Sequence, residues 1–173
     1  MVRFEFPAAK EQEVAVVVIR FGAFDATLEV RDAAGKLMAS KFEDEVYGMG
    51  VTYEDLALRF VYWMDGEVEG EERWGGVVKC WKVRVRCPEA VRSAYRQVVF
   101  WVTQEDGIFV KSEAYGEETG KEAKPVRLIS VRGTGHIGQV TVPKQLKAEF
   151  PRSEGDPVYL DVDVDRTSIR EPR

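Results

Sequence analysis

The chain has 173 residues, of which 45% are hydrophobic and 32% are charged, and its formal net charge is −5 at pH 7. These values are ordinary for a globular protein with one core, and they argue against a nucleic-acid binder, which needs a basic face to neutralise phosphates. No run of about 20 apolar residues is present, so no helix is predicted to span a membrane. The N-terminus shows no signal-peptide pattern.

Strand patterns fill the first part of the chain. Residues 2–6 alternate weakly, and residues 13–20 form a nearly continuous apolar run, which is typical of a strand covered on both faces. Residues 24–31 alternate with period two. A turn at residues 32–35 is then predicted to return the chain as a hairpin through residues 36–42.

The periodicity changes at Thr52, and residues 53–63 form the clearest predicted helix. Thr52 is a suitable N-cap, and Glu54 and Asp55 suit the positive end of the helix dipole. The segment is apolar around much of its circumference, which predicts a helix inserted into the structure. Residues 67–74 are acidic and are predicted to be exposed.

A predicted hairpin organises the second half of the chain. Residues 97–103 are dense in β-branched and aromatic side chains, residues 104–107 supply turn chemistry, and residues 108–115 return. Before it lie a predicted strand at residues 77–86 and one or two helical turns beginning at Pro88.

Three further strands are predicted at residues 126–131, 139–150 and 157–165, with a loop at residues 133–138. Pro143 interrupts the second of these strands, which suits a sheet edge or a bulge. The fold class is therefore mainly β (α+β), with about nine strands and one or two short helices. We expect a strongly curved antiparallel sheet with helical cover.

The two cysteines are predicted to be free thiols. Cys80 and Cys87 are seven residues apart in one predicted strand. An extended chain places their Cα atoms about 23 Å apart, whereas a disulfide needs a separation below about 7 Å. Cys87 is expected to share a face with Trp81, Val83 and Val85, and Cys80 to lie on the opposite face.

Nucleotide-binding and metal-binding motifs are weak. Residues 133–138 match the glycine spacing of a dinucleotide fingerprint, but a strand-like segment follows them instead of the helix that would hold the pyrophosphate. The aspartates of residues 161–165 resemble the start of a calcium loop, but Arg166 and Pro172 occupy the positions that need Gly and Glu. No cofactor and no metal are therefore predicted.

Catalysis is also not predicted. His136 is the single histidine, and no nucleophile elbow is present. A zinc site would need more ligands than His136, Cys80 and Cys87 supply.

The sequence nevertheless has more apolar surface than its helices cover. Residues 13–20 and 98–102 are apolar on both strand faces. Because two short helices are few to cover nine strands, the mismatch predicts an apolar cavity and a hydrophobic ligand.

Four segments resemble one family in order and spacing over residues 51–163. The family is the LolA/LolB-like superfamily of outer-membrane lipoprotein-sorting proteins. Residues 52–56, Thr-Tyr-Glu-Asp-Leu, resemble the start of a helix in this superfamily. Residues 95–102, Tyr-Arg-Gln-Val-Val-Phe-Trp-Val, resemble one of its strands. Residues 109–115, with Gly120 and Lys121 after them, resemble the next family segment, and Val142-Pro143 resembles a later one.

The resemblance implies an open half-barrel of antiparallel strands with one or two helices on its concave side. It implies one LolA-like domain over residues 1–173 that lacks the N-terminal signal and the leading helix of the family. It also implies a non-catalytic periplasmic carrier that holds acyl chains in an apolar cavity. Thr103 departs from the family pattern, which has Asp at this position.

The predicted partners are lipid acyl chains or a lipidated protein, with a protein partner at the envelope as a further possibility. The alternative function is a periplasmic sensor on the same fold that binds a protein partner; a structural subunit and an enzyme rank below it. Which strand faces line the cavity stays open. The candidate ligand-binding residues are Phe60, Trp63, Trp81, Val83, Val85, Phe100 and Trp101.

Overall fold

The computed structural model describes residues 2–5, 14–22, 26–46, 48, 50–117, 123–137, 140–151 and 156–161. The chain divides into two compact units. The first comprises Met1–Asp65 and Cys87–Ala94, and the second comprises Gly66–Arg86 and Tyr95–Arg173. The single domain over residues 1–173 stays a prediction.

The first unit contains a four-stranded antiparallel sheet in the order β1-β2-β3-β4. Its strands are β1 (Val2–Glu5), β2 (Val14–Phe21), β3 (Ala26–Asp32) and β4 (Leu37–Met38). Val17 and Ile19 of β2 are fully buried, as expected for an apolar run. The predicted hairpin is confirmed, although its return strand is short. Residues 6, 13, 24 and 25 of the predicted strands lie outside the described residues.

The predicted helix is present in two parts. Helix α1 (Tyr53–Ala57) begins at a capping box, in which Asp55 N donates to Thr52 Oγ1 at 3.2 Å and Thr52 N donates to Asp55 Oδ2 at 2.9 Å. Leu58 then adopts the left-handed conformation with φ 44°, and a 3₁₀ helix (Arg59–Tyr62) follows. The N-cap and the burial of α1 are confirmed, whereas the continuous helix over residues 53–63 is wrong.

The second unit is an open antiparallel sheet of seven strands in the order β5-β6-β7-β8-β9-β10-β11. These strands are β5 (Asp65–Trp74), β6 (Val78–Arg86), β7 (Gln97–Thr103), β8 (Phe109–Tyr115), β9 (Arg127–Ile137), β10 (Val140–Glu149) and β11 (Val158–Asp161). Each strand pairs with its neighbour in sequence. The mainly β class, with few helices and an open sheet, is confirmed.

The acidic stretch is an edge strand, β5. Its glutamates pair with basic side chains of β6, as Glu67 does with Arg86 at 2.8 Å and Glu69 does with Arg84. Its side chains are largely exposed, as predicted. The strand itself was not predicted, because glutamate and glycine have low β-propensity and its ion pairs join residues distant in sequence.

Three local predictions have different outcomes. The predicted loop at residues 133–138 is wrong, because β9 continues to Ile137. A register shift between Pro143 and Gln145 in β10 confirms the predicted irregularity at the proline. The predicted helix after Pro88 is wrong, since the described backbone makes only a turn there, in which Val91 N donates to Pro88 O at 2.9 Å.

The turn and thiol predictions are confirmed. Gly107 has φ 68° in the turn between β7 and β8, a conformation that glycine adopts without strain. Both cysteines are free, and Cys80 is buried on the side of β6 opposite to Trp81. Cys87 lies beyond the end of β6 and belongs to the first unit, so the prediction that it lies in the same strand and shares the face of Trp81, Val83 and Val85 is wrong.

Candidate functional site: the apolar face of the seven-stranded sheet

The strand register assigns residues of the second unit to the two faces of its sheet, because directly paired residues point to the same side. Three cross-strand rows define what we name the apolar face. The central row is Val83, Phe100, Ser112, Ile129, Ala148 and Val158. One flanking row is Val85, Val98, Ala114 and Arg127, and the other is Trp81, Val102 and Phe109 with Val131, Leu146 and Leu160.

Burial varies across the apolar face. Val98 is completely buried, and Val85 and Ile129 are nearly so. Phe100 is half-buried, as are the apolar residues of β10 and β11 other than Ala148 that belong to the rows. Trp81 is 39% exposed. The apolar face therefore presents its most accessible aromatic surface at Trp81, near the edge of the sheet.

The opposite face contains a small closed cluster around Trp101. Cys80, Val99, Trp101 and Val110 are buried together. The Lys111 Nζ lies 3.7 Å from the centroid of the Trp101 ring, which is a cation–π distance. Trp101 Nε1 donates to Glu72 Oε2 at 2.9 Å. Charged side chains therefore cover this cluster and use the one polar atom of the indole.

The predicted ligand-binding residues separate into three groups. Trp81, Val83, Val85 and Phe100 lie together on the apolar face. Trp101 lies on the opposite face, because consecutive residues of a strand point to opposite sides. Phe100 and Trp101 therefore lie on different faces of the sheet. Contact of any of these residues with a ligand stays a prediction.

The other two candidates belong to the first unit. Phe60 of the 3₁₀ helix is 2% exposed, and Trp63, which follows it, is 5% exposed. Both side chains are therefore buried in the chain, and their contact with a ligand stays a prediction.

Titratable groups on the face opposite the apolar face are held in fixed states. Burial, reinforced by the Glu113 carboxylate to which the Tyr115 hydroxyl donates at 2.9 Å, raises the pKa of Tyr115 to about 12. Burial also raises the pKa of the Cys80 thiol, which favours its protonated form.

Two charged residues of the first unit, Glu54 and Arg59, are buried, which was not predicted from the sequence. The Glu54 carboxylate is fully buried and accepts a hydrogen bond from Ala94 N at 3.2 Å. Arg59 donates to Arg92 O at 2.9 Å and lies 4.4 Å from the centroid of Phe42. Both side chains therefore form hydrogen bonds with the backbone of the segment before β7, at Ala94 and Arg92. The sequence pattern could have predicted this burial, because a helix that is apolar around most of its circumference must place its few charged residues inside.

Two surface depressions in the described part of the chain contain none of the predicted residues. One, of about 550 Å³, is lined by residues 67–72 and Lys82, and another, of about 610 Å³, by Arg73 and residues 77–79 and 103–106. Both contain charged side chains, and neither includes a candidate residue. The apolar cavity stays a prediction.

Metal ligands and membrane-spanning helices are absent from the described ranges. No three His, Cys, Asp or Glu side chains in these ranges are grouped so that they could hold a metal ion. No helix in the same ranges is long and apolar enough to cross a membrane.

A family model described as "uncharacterized protein" matches residues 31–156, which is more than half of the chain. The chain belongs to this family. Comparison with curated protein sequences found no match.

Three solved structures share the fold of this chain. A DUF1329 family protein from Desulfovibrio piger has 20% identity and a TM-score of 0.70, with 90% of this chain and 65% of that chain covered. A domain assigned as an outer membrane lipoprotein-sorting protein, from Vibrio parahaemolyticus, has 12% identity and a TM-score of 0.70, with 86% and 63% covered. A LolA superfamily protein from Nitrosomonas europaea has 16% identity and a TM-score of 0.61, with 87% and 70% covered.

These comparisons establish the fold. The chain has the LolA-like fold, and the predicted resemblance to the LolA/LolB-like superfamily is confirmed at that level. It spans less than two thirds of the length of the first two solved chains.

Proposed function

We propose that this protein is a non-catalytic carrier that binds the acyl chains of a lipid or a lipidated protein on the apolar face of its seven-stranded sheet. The observation that carries the proposal is the set of three cross-strand rows, in which Arg127 is the one charged residue. An apolar surface of this kind is complementary to a hydrocarbon chain.

The dimensions of the central row support this ligand class. Six strands from β6 to β11 contribute to it, and five spacings of about 4.8 Å give a row roughly 24 Å long. This length is comparable to that of an extended long acyl chain. Each methylene that such a chain buries contributes about 0.8 kcal/mol. Ser112, Ile129 and Ala148 of this row are already buried within the protein, so the accessible contacts for the chain are at Val83, Phe100 and Val158.

The fold supports the same class of function. One neighbour in fold is assigned as an outer membrane lipoprotein-sorting protein domain, and another belongs to the LolA superfamily. By this likeness we assign the carrier to the periplasm and take lipid or a lipidated protein as its partner.

Native mass spectrometry of the delipidated protein, mixed with laurate, tests the proposal. We expect a 1:1 adduct in the wild type and a weaker one in Phe100→Gln, which places an amide within the central row. Val99→Thr is the matched control, because Val99 is the neighbouring residue on the opposite face. A wild-type protein that never retains laurate or a longer fatty acid would overturn the carrier function and favour a sensor that binds a protein partner.

A further inference from the structure

Arg127 occupies a distinctive position on the apolar face. It pairs with Ala114 in the register, so it lies in the same row as Val85 and Val98. It is half-buried and is the one charged residue in the three rows that define the face.

Two aromatic residues fix the guanidinium of Arg127. Its Cζ lies 4.3 Å from the centroid of the Phe150 ring, and its Nε donates to the Tyr95 hydroxyl at 3.3 Å. Tyr95 is only 2% exposed. A guanidinium held by a ring face and a phenol loses little conformational entropy when it binds a further group.

The position of Arg127 relative to the central row suggests what that group is. Ile129 of the central row is two residues farther along β9, which is about 6.6 Å in an extended strand. An acyl chain that covers the central row from Val83 to Ile129, three spacings of about 4.8 Å, therefore has its polar end within reach of Arg127. The planar fork of a guanidinium matches the oxygens of a carboxylate or a phosphate.

We propose that Arg127, positioned by Tyr95 and Phe150, binds the anionic headgroup of an amphiphile whose acyl chain lies along the apolar face. This inference rests on the proposed carrier function and adds the charge and the position of the headgroup. Carboxylate and phosphate share the required chemistry, and they are distinguished by experiment.

Three ligands with the same twelve-carbon chain separate headgroup from chain: laurate, dodecyl phosphate and dodecanol. Calorimetric titration of the wild type at pH 8 is expected to show that at least one anion binds about tenfold or more tightly than dodecanol, as for hydrogen bonds to a charged group. The anion with the larger preference identifies the headgroup. Equal affinities for all three ligands would overturn the inference and leave the carrier function intact.

Variants locate the headgroup. Arg127→Met is expected to remove the preference for the anion and to leave the affinity for dodecanol unchanged, while Arg127→Lys keeps part of the preference. Arg132→Met is the matched control, because Arg132 is exposed on the same strand and alternates to the other face. A preference that persists in a folded Arg127→Met variant would contradict the assignment.

Two further outcomes remain decisive. If Arg127→Met does not fold, the preference for the anion is measured at rising salt concentration in the wild type and in Arg127→Lys. The decrease of this preference with salt then provides the same comparison. An anion preference that is unchanged in Arg127→Lys would contradict the assignment. If none of the three ligands binds the wild type, the carrier function itself fails.

Discussion

The indole Nε1 of Trp101 donates a hydrogen bond to Glu72 Oε2 at 2.9 Å, and this contact joins β7 to the edge strand β5 across β6. Lys82 of the intervening strand lies 3.6 Å from Glu72 Oε1 and 5.5 Å from the centroid of the Trp101 ring. Charged side chains of the second unit therefore cover the face of the sheet that contains Trp101. The strands of this unit place no such charged cover on the apolar face, where Arg127 is the one charged residue in the three rows.

Replacing Trp101 tests whether this face is structural. Trp101→Phe removes the indole donor and part of a buried ring, so we expect the free energy of unfolding to fall by about 1–3 kcal/mol. Laurate affinity is expected to stay the same, because Trp101 lies on the other face from Phe100. Urea unfolding and calorimetric titration of the same variant check both statements. Weaker laurate binding with unchanged stability would place Trp101 at the ligand instead.

The helix start is a second place where stability is predictable. Thr52→Ala removes the side-chain acceptor for Asp55 N, and we expect a loss of about 1 kcal/mol in the free energy of unfolding. Thr52→Ser keeps the acceptor and is the control. Equal stability of the Ala and Ser variants in urea would contradict the importance of the capping box.

Much of the fold could be predicted from the sequence, and the elements that could not be predicted have physical explanations. The N-cap at Thr52 and the shared face of Trp81, Val83 and Val85 follow from local spacing alone. Strand β5 could not be predicted from the sequence, since its pairing depends on ion pairs with β6. The helix break at Leu58 could not be predicted either, because leucine favours helices and only tertiary structure holds its left-handed conformation.

The candidate site was only partly predictable for a related reason. Both faces of β7 are apolar in sequence, so alternation cannot choose between Phe100 and Trp101. Only the cross-strand partners decide: Phe100 lies opposite Val83, whereas Trp101 lies opposite Lys82.

Glu54 is expected to make stability depend on pH. Burial raises the pKa of this carboxyl, against the opposing effects of hydrogen bonds from Ser93 and Ala94 and the charge of Arg59, while the charge of Asp55 raises it further. Because the pKa is higher in the folded state than in the unfolded state, ionisation of Glu54 disfavours folding. Its contribution is most favourable below the unfolded value near 4.5 and declines as the pH rises through the folded value.

The Glu54→Gln variant measures this effect. The amide keeps an acceptor for Ala94 N but does not ionise, so we expect the variant to gain stability relative to wild type as the pH rises from 4.5 to 8. Urea unfolding at several pH values gives the comparison. Glu117→Gln is the control: the hydrogen bond with Arg96 lowers the pKa of Glu117, so the effect of this carboxyl on stability lies mainly below pH 4.5, and little change relative to wild type is expected between pH 4.5 and 8. A wild type and Glu54→Gln that respond identically to pH would show that Glu54 has an ordinary pKa.

The central claim is that an acyl chain lies on the apolar face, and quenching of tryptophan fluorescence by 9,10-dibromostearate tests it most directly. Bromine quenches only at short range, and Trp81 is the exposed tryptophan of the apolar face. We predict strong quenching in the wild type and in Trp101→Phe, and a clear loss of quenching in Trp81→Phe. Quenching that disappears in Trp101→Phe and persists in Trp81→Phe would contradict the assignment of the apolar face as the ligand site.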